Sequence, residues 1–248
     1  MLPENCYSEY DTFARIVNES WGPQVSESVL PDIEQLILQY LPEKAHILDL
    51  CCGAGHLAQK LQKQGYQVTG IDNSAEMLRY ARENATDSKF IFDDARFFKL
   101  PSTFHAVVST NYGLNHVIKF EELLCVFQNV YESLLANGLF MFDLSLEQRY
   151  QSNWNNSMLG DIKDEYAWAL KRSYNLEEKI GKINITIFQL MDKNWQRLDN
   201  TWLVRGYSRE EVLLALKNVG FAKINVYNTE HDFAGTGEAG TVYFVCHK

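Results

Sequence analysis

One stretch, His46–Leu61 (HILDLCCGAGHLAQKL), constrains the fold of this chain more than any other. Ile47, Leu48 and Leu50 make a short apolar run, Gly53–Ala54–Gly55 turns the chain, and Leu57, Ala58 and Leu61 then share one helical face. A buried strand, a tight glycine turn and a helix N-terminus form the kind of βα turn that cradles a nucleotide. Glycine suits such a turn because a Cβ would occupy the space of a ligand approaching the backbone.

The chain beyond the turn keeps the same alternation. A helix closes at Gly65, and Tyr66–Asp72 (YQVTGID) is a second β-like run ending in an acid, 19 positions after Gly53. That is close to the spacing of about 20 at which a strand-end carboxylate meets a ribose hydroxyl. Asn73, three before Glu76, predicts an N-terminal cap for a helix carrying Met77, Leu78 and Ala81. Phe90–Phe92, Phe104–Ser109 and Leu139–Leu144 read as strands three to five, and Glu121–Leu135 as an amphipathic helix before the last of them. In a parallel, doubly wound sheet ligands bind beyond the carboxyl ends of the strands. Cys51–Gly55, Asp72, Asp94, Ser109–Asn115 and Asp143 all fall at those ends.

Before the first strand, Tyr10, Phe13, Ile16 and Val17 recur at helical spacing, and a second helical pattern runs from Trp21–Gly22–Pro23 to Tyr40. After the fifth strand, residues 165–205 alternate at period two, with Ile183, Ile185 and Ile187 against Lys182, Asn184 and Thr186, and predict about three antiparallel strands. The capping box Ser208-x-x-Glu211 reopens the α/β pattern. Ile224–Tyr227 and Thr241–Cys246 then make a terminal strand pair around the glycine-bearing loop Thr229–Gly240. The expected fold is a doubly wound, mostly parallel, seven-stranded Rossmann-like α/β sheet with a C-terminal antiparallel hairpin and a small antiparallel β insertion. Its expected parts are residues 1–42, a core of residues 43–150 and 206–248, and an insertion over residues 151–205.

The net charge of −9 disfavours a general nucleic-acid binder, which needs a cationic footprint to displace counterions. The longest basic run is the dipeptide Lys171–Arg172. Cys6, Cys51, Cys52, Cys125 and Cys246 contain no C-x-x-C pair, so neither a disulfide framework nor a zinc site is expected, and no metal ligands are assigned. No signal-like start and no run of membrane-spanning length is visible, and a cytoplasmic protein without nucleic-acid or membrane partners is expected.

Taken together, DLCCGAG (Asp49–Gly55), GIDNSAEML (Gly70–Leu78), DDAR (Asp93–Arg96), the fourth strand with its loop and the terminal hairpin resemble the class I S-adenosylmethionine-dependent methyltransferases over almost the whole chain. The resemblance implies S-adenosyl-L-methionine as cofactor. It sets Asp49 and Gly53–Gly55 against the methionine part, Asp72 with neighbouring Asn73 at the ribose, Asp94 and Ala95 at the adenine, and Met77 near the adenine ring. Cys51 stands where many relatives have glycine, and Ser109 ends the fourth strand beside the cofactor. The insertion and the N-terminal YDxF resemble small-molecule N-methyltransferases, in which the insertion covers the acceptor and the N-terminal helix closes as a lid. Tyr10 is then a lid residue.

A sulfonium methyl is already activated, so the protein needs mainly to align an amine lone pair and exclude water. His116 is the candidate base for the amine proton. Asn111, Asn115, Asp143 and Arg205 are the candidate substrate contacts. Two other classes stay open: GAGHLA also fits the G-x-G-x-x-G/A pattern of an NAD(P)-linked oxidoreductase, and a methyltransferase-like domain can bind without turnover. The sequence leaves the acceptor and the oligomeric state open.

Overall fold

The computed structural model describes residues 8–152, 154–233 and 239–248. Cys6 and the middle of the Thr229–Gly240 loop lie outside them.

The N-terminal helical patterns form one nearly continuous run. A 3-10 turn (Asp11–Phe13) leads into α1 (Ala14–Ile16), a π turn (Val17–Trp21) and α2 (Gly22–Leu36), followed by a 3-10 turn at Leu38–Tyr40. The helical run passes through Trp21–Gly22–Pro23 without a break: the π turn leads straight into α2, and the Asn18 carbonyl that Pro23 cannot meet is taken by His56 Nε2 at 3.0 Å.

The core then alternates as β1 (His46–Leu50), α3 (His56–Lys63), β2 (Gln67–Asp72), α4 (Ala75–Asn84), β3 (Lys89–Phe92), β4 (Phe104–Ser109), α5 (Phe120–Ser133) and β5 (Leu134–Ser145). After α6 (Glu147–Gln151) come β6 (Met158–Ile162), β7 (Tyr166–Asn175), β8 (Ile180–Met191) and β9 (Asn194–Arg205), and then α7 (Arg209–Val219), β10 (Lys223–Asn228) and β11 (Thr241–His247). The main sheet has seven strands in the order β10-β11-β5-β4-β1-β2-β3, with β11 antiparallel to both neighbours and the other pairs parallel. The second sheet is antiparallel, in the order β6-β7-β8-β9.

The insertion has one strand more than its alternation predicts. β6 is an edge strand in which Met158, Leu159 and Ile162 are exposed, so it carries no buried-face alternation to read. Asn73 is not the cap of α4. Ser74 is, its Oγ accepting the Met77 N–H at 3.1 Å, while the Asn73 side chain bonds Asp94. The Ser208 capping box forms as expected, with Glu211 N–H donating to Ser208 Oγ at 3.2 Å and Ser208 N–H to Glu211 Oε2 at 2.9 Å.

Three buried clusters hold the layers. One face of the main sheet packs Leu48, Val107, Phe140 and Phe142 against Phe127 and Val130 of α5 and Leu216 of α7. The other packs Ile47, Ala106, Val108 and Met141 against Ile33 of α2 and Leu57 and Leu61 of α3. In the third, Phe13 and Ile16 pack with Tyr166, Trp168, Ile187 and Trp202 of the second sheet. The Tyr10/Phe13 stripe therefore joins the two sheets across the strand ends.

Candidate active site

Asp49 is 2 % exposed at the end of β1. It accepts the Ala58 N–H of α3, and its Oδ2 has no hydrogen-bond partner among the described residues. Burial, with a smaller push from Asp72, raises its carboxyl to about 7. A buried, unpaired carboxylate oxygen at a strand end is costly unless a ligand meets it.

The turn that follows bends through left-handed backbone at Cys51 (φ 63°), Gly53 (φ 52°) and Gly55 (φ 76°). The glycines serve different ends. A Cβ on Gly55 would lie 2.9 Å from Ala81 Cα, so this glycine lets α4 pack against the turn. A Cβ on Gly53 would meet nothing nearer than Met77 Sδ at 4.0 Å, which leaves open space above the turn. Cys51 adopts the same conformation without being glycine, a strain of roughly 1–2 kcal/mol. Its part-buried thiol is pushed up by desolvation and faces Ser109.

Asp72, at the end of β2, ties the turn down. Its Oδ2 accepts the Gly53 N–H at 2.8 Å and its Oδ1 the Ser74 N–H at 2.9 Å. Burial outweighs these bonds and raises the carboxyl to about 6. Past β3, burial pushes Asp94 up, but the Arg96 guanidinium, bonded at 2.7 and 2.9 Å, holds it below its ordinary value. Ala95 and Met77 are buried, the latter packed with Ala14 and Ala54 under the N-terminal run.

The loop after β4 is held from β5. Asn111 and Tyr112 both have φ of 61°, and their N–H groups donate to Asp143 at 2.8 and 2.7 Å. Burial lifts Asp143 to about 7 against these bonds and the charge of Arg149. Asn115 is fully buried, its amide donating to the carbonyls of Ser145 (2.9 Å) and Arg205 (2.8 Å) and accepting the Ser145 N–H (2.9 Å). Its polar atoms are therefore engaged by backbone. Arg205 donates to the Ile118 carbonyl at 3.1 Å and pairs with Glu211 at 3.6 Å.

Tyr10 and His116 come together over these ends. Tyr10 Oη lies 2.5 Å from His116 Nδ1, and its ring stacks on Trp202 at 4.8 Å. Burial lowers His116 to about 4, with the Leu203 carbonyl pulling the other way. One residue was not singled out from the sequence. Asp11 accepts from Ser74 Oγ at 2.6 Å and from Glu76 N–H at 3.3 Å, fastening the N-terminal run onto the start of α4. Its sequence signal is an acid directly after Tyr10, where a helical stripe begins.

The residues present fit an adenosyl cofactor: an open glycine cradle, an orphaned carboxylate oxygen at Asp49, and two further strand-end acids. Residues 47–138 match a family model described as a methyltransferase domain. Over 212 residues the chain is 28 % identical to the putative methyltransferase YqeM of Bacillus subtilis (strain 168), covering 84 % of this chain and 86 % of that protein. The fold is similar to that of an S-adenosylmethionine-dependent methyltransferase from Clostridium acetobutylicum, with TM-score 0.76, 19 % identity, and 97 % and 99 % of the two chains covered. It is similar, too, to the sugar N-methyltransferase KedS8 from Streptoalloteichus sp ATCC 53650, with TM-score 0.76, 16 % identity, and 96 % and 92 % covered.

Proposed function

We propose that this chain, a class I S-adenosylmethionine-dependent methyltransferase whose cofactor is S-adenosyl-L-methionine, methylates an amine nitrogen of a small molecule. The observation that carries the reading is the enclosure of the strand ends. A neutral imidazole, a phenol and the Trp202 ring meet where the N-terminal run packs on the second sheet, over the acid-bearing strand ends. Such surroundings suit a small, cationic or amine-bearing guest. The likeness to a sugar N-methyltransferase supports the same class of acceptor.

The cofactor supplies a methyl already activated on a sulfonium. The open turn at Gly53 with Gly55, Cys51 and Asp49 receives its methionine end. Asp72 and Asn73 take the ribose, Asp94, Ala95 and Met77 the adenine side, and Ser109 the methyl-bearing centre. The positive charge of a bound sulfonium would relieve part of the penalty that burial imposes on the Asp49 and Asp72 carboxylates. Asn111 lines the acceptor side through a loop that Asp143 and Asn115 hold in place, and Arg205 braces the return from β9. His116, uncharged at neutral pH and held at about 4, accepts a hydrogen bond from the amine and relays its proton to water rather than keeping it, and Tyr10 orients the imidazole. Residues 1–42 act as the lid and residues 151–205 as the cover, together excluding water. The unpaired cysteines among the described residues suit a reducing, cytoplasmic setting.

The test is calorimetric titration with S-adenosylmethionine, S-adenosylhomocysteine and NADH, followed by a tritiated-methyl assay over small amines, phenols and quinols. Adenosyl binding with label entering amines supports the proposal. Label entering only oxygen or carbon acceptors overturns the amine assignment, and adenosyl binding without transfer to any acceptor class favours a silent binding domain.

A further inference from the structure

Between α2 and the adjoining ends of β5 and β11 lies a cavity of about 110 Å³, framed by exposed Ser28 and Asn111 and walled by Asp32, Asp143, Thr241 and Tyr243. Three polar features converge there. Asp32 accepts the Tyr243 hydroxyl at 3.0 Å through Oδ2, and its Oδ1 takes no side-chain or backbone donor among the described residues. Asp143 brings a second carboxylate, which uses one bond per oxygen on the Asn111 and Tyr112 N–H groups and keeps further lone pairs. Thr241 is 3 % exposed, and its Oγ1 has no hydrogen-bond partner among the described residues. A buried hydroxyl with no partner beside two carboxylates is an arrangement that a ligand with N–H donors, or a bare cation, completes.

We propose that this cavity is a binding site for one small monovalent cation, the ammonium head of a protonated primary amine making the fullest use of its acceptors. The charge balance sets the valence. Asp143, lifted to about 7 by burial, carries only part of a negative charge at neutral pH, so with Asp32 the pair holds less than two, and a single positive charge matches it better than a double one. Among the described residues no group of three His, Cys, Asp or Glu side chains gathers to hold a multivalent metal. The volume admits the same guest, since about 110 Å³ holds an ammonium head or a potassium ion with water beside it. Desolvation raises both carboxyls, a cost that a cation removes. Because Asp143 also holds the left-handed Asn111–Tyr112 turn, occupancy of the cavity stiffens the loop that follows β4. Asn111 borders both this cavity and the proposed acceptor side, so the binding test is made without cofactor or methyl transfer.

The experiment is thermal unfolding of the full chain, without cofactor, in 100 mM methylammonium, potassium or tetramethylammonium chloride at equal ionic strength. Tetramethylammonium has the charge but no N–H donors. A rise of a few degrees in methylammonium over tetramethylammonium, abolished in Asp32→Asn and reduced in Thr241→Val, is the expected result. A rise in potassium alone assigns the site to an inorganic ion of the same charge. Each variant is read as the difference between salts within that variant, so a lowered baseline does not obscure the outcome. Equal melting temperatures in all three salts overturn the proposal and leave the cavity to water, as does a rise undiminished in both variants.

Discussion

The phenolic oxygen of Tyr10 sits 2.5 Å from Nδ1 of His116, across 106 positions of sequence. The same nitrogen lies 3.1 Å from the carbonyl oxygen of Leu203. A carbonyl oxygen can only accept, so Nδ1 carries the proton, and Tyr10 Oη shares it as a second acceptor. Nε2 is then the unprotonated nitrogen, and the Tyr10 hydroxyl proton is free to be donated elsewhere. Replacing His116 by Asn keeps a donor near Leu203 and removes Nε2. We expect kcat to fall about a hundredfold, with S-adenosylmethionine affinity within about twofold of the parent. Because burial holds the imidazole at about 4, the His116 limb of the pH–rate profile lies near pH 4, with no inflection near 6.5. An unchanged kcat in the variant reduces His116 to a strut between the N-terminal run and β9.

The glycine turn, the strand–helix alternation and the acids at the strand ends were legible because each is a local pattern: a run, a spacing, a period. What the sequence left open depends on partners far along the chain. Asp143 reads equally as a substrate carboxylate or a loop cap until Asn111 and Tyr112, 32 and 31 positions away, direct their N–H groups at it. Asp11 carries no local sign that Ser74 is its partner. The cap of α4 moved by one residue because Asn73 and Ser74 are both capping types, and the nearby Asp94 engages the first. β6 escaped notice because an exposed edge strand buries neither face.

Gly53→Ala and Gly55→Ala separate binding from folding. A methyl on Gly53 meets no protein atom closer than 4.0 Å but strains φ of 52°, costing about 1–2 kcal/mol. It also occupies the space above the turn. The variant should fold and lose cofactor affinity at least tenfold by calorimetry. A methyl on Gly55 meets Ala81 backbone at 2.9 Å, so that variant should lose considerably more in thermal unfolding. Normal affinity in folded Gly53→Ala removes the cradle from the binding site.

Asp72→Ala removes the acceptor of the Gly53 and Ser74 N–H groups as well as the proposed ribose contact. Hydrogen bonds to a charged group contribute about 1.5–3 kcal/mol each, so cofactor affinity should weaken roughly ten- to a hundredfold with one such bond lost. Calorimetry on the folded variant decides it, and affinity within twofold of the parent refutes the ribose assignment.

Asp49 and Asp72 titrate near 7 and 6 in the folded chain, above the ordinary carboxylate range, because burial disfavours their charge. Stability from such groups is present in full below the unfolded value of about 3.9 and is lost as pH rises through 6 to 7. The ligand-free protein should therefore lose this contribution between about pH 4 and 7. A sulfonium restores it and a neutral thioether does not. The gain in melting temperature from S-adenosylmethionine should grow over that interval faster than the gain from S-adenosylhomocysteine. Parallel slopes for the two ligands would show that these carboxylates do not sense the sulfonium charge.

Asn115 joins β5, β9 and the loop after β4 through one buried amide. Its replacement by Ala leaves the Ser145 N–H and the Ser145 and Arg205 carbonyls without this partner, each an unsatisfied buried group costing about 1–3 kcal/mol. A net loss of about 3 kcal/mol lowers the melting temperature by roughly 6–12 °C in a chain of this size. Asn115→Asp keeps the acceptor for Ser145 N–H but points a carboxylate at two carbonyls inside the core, so it should destabilise at least as much as Ala. If Asn115 instead contacts the acceptor, Asp is the milder change and both variants raise the acceptor KM at an unchanged melting temperature. Unfolding curves and KM values measured together on the two variants distinguish these outcomes.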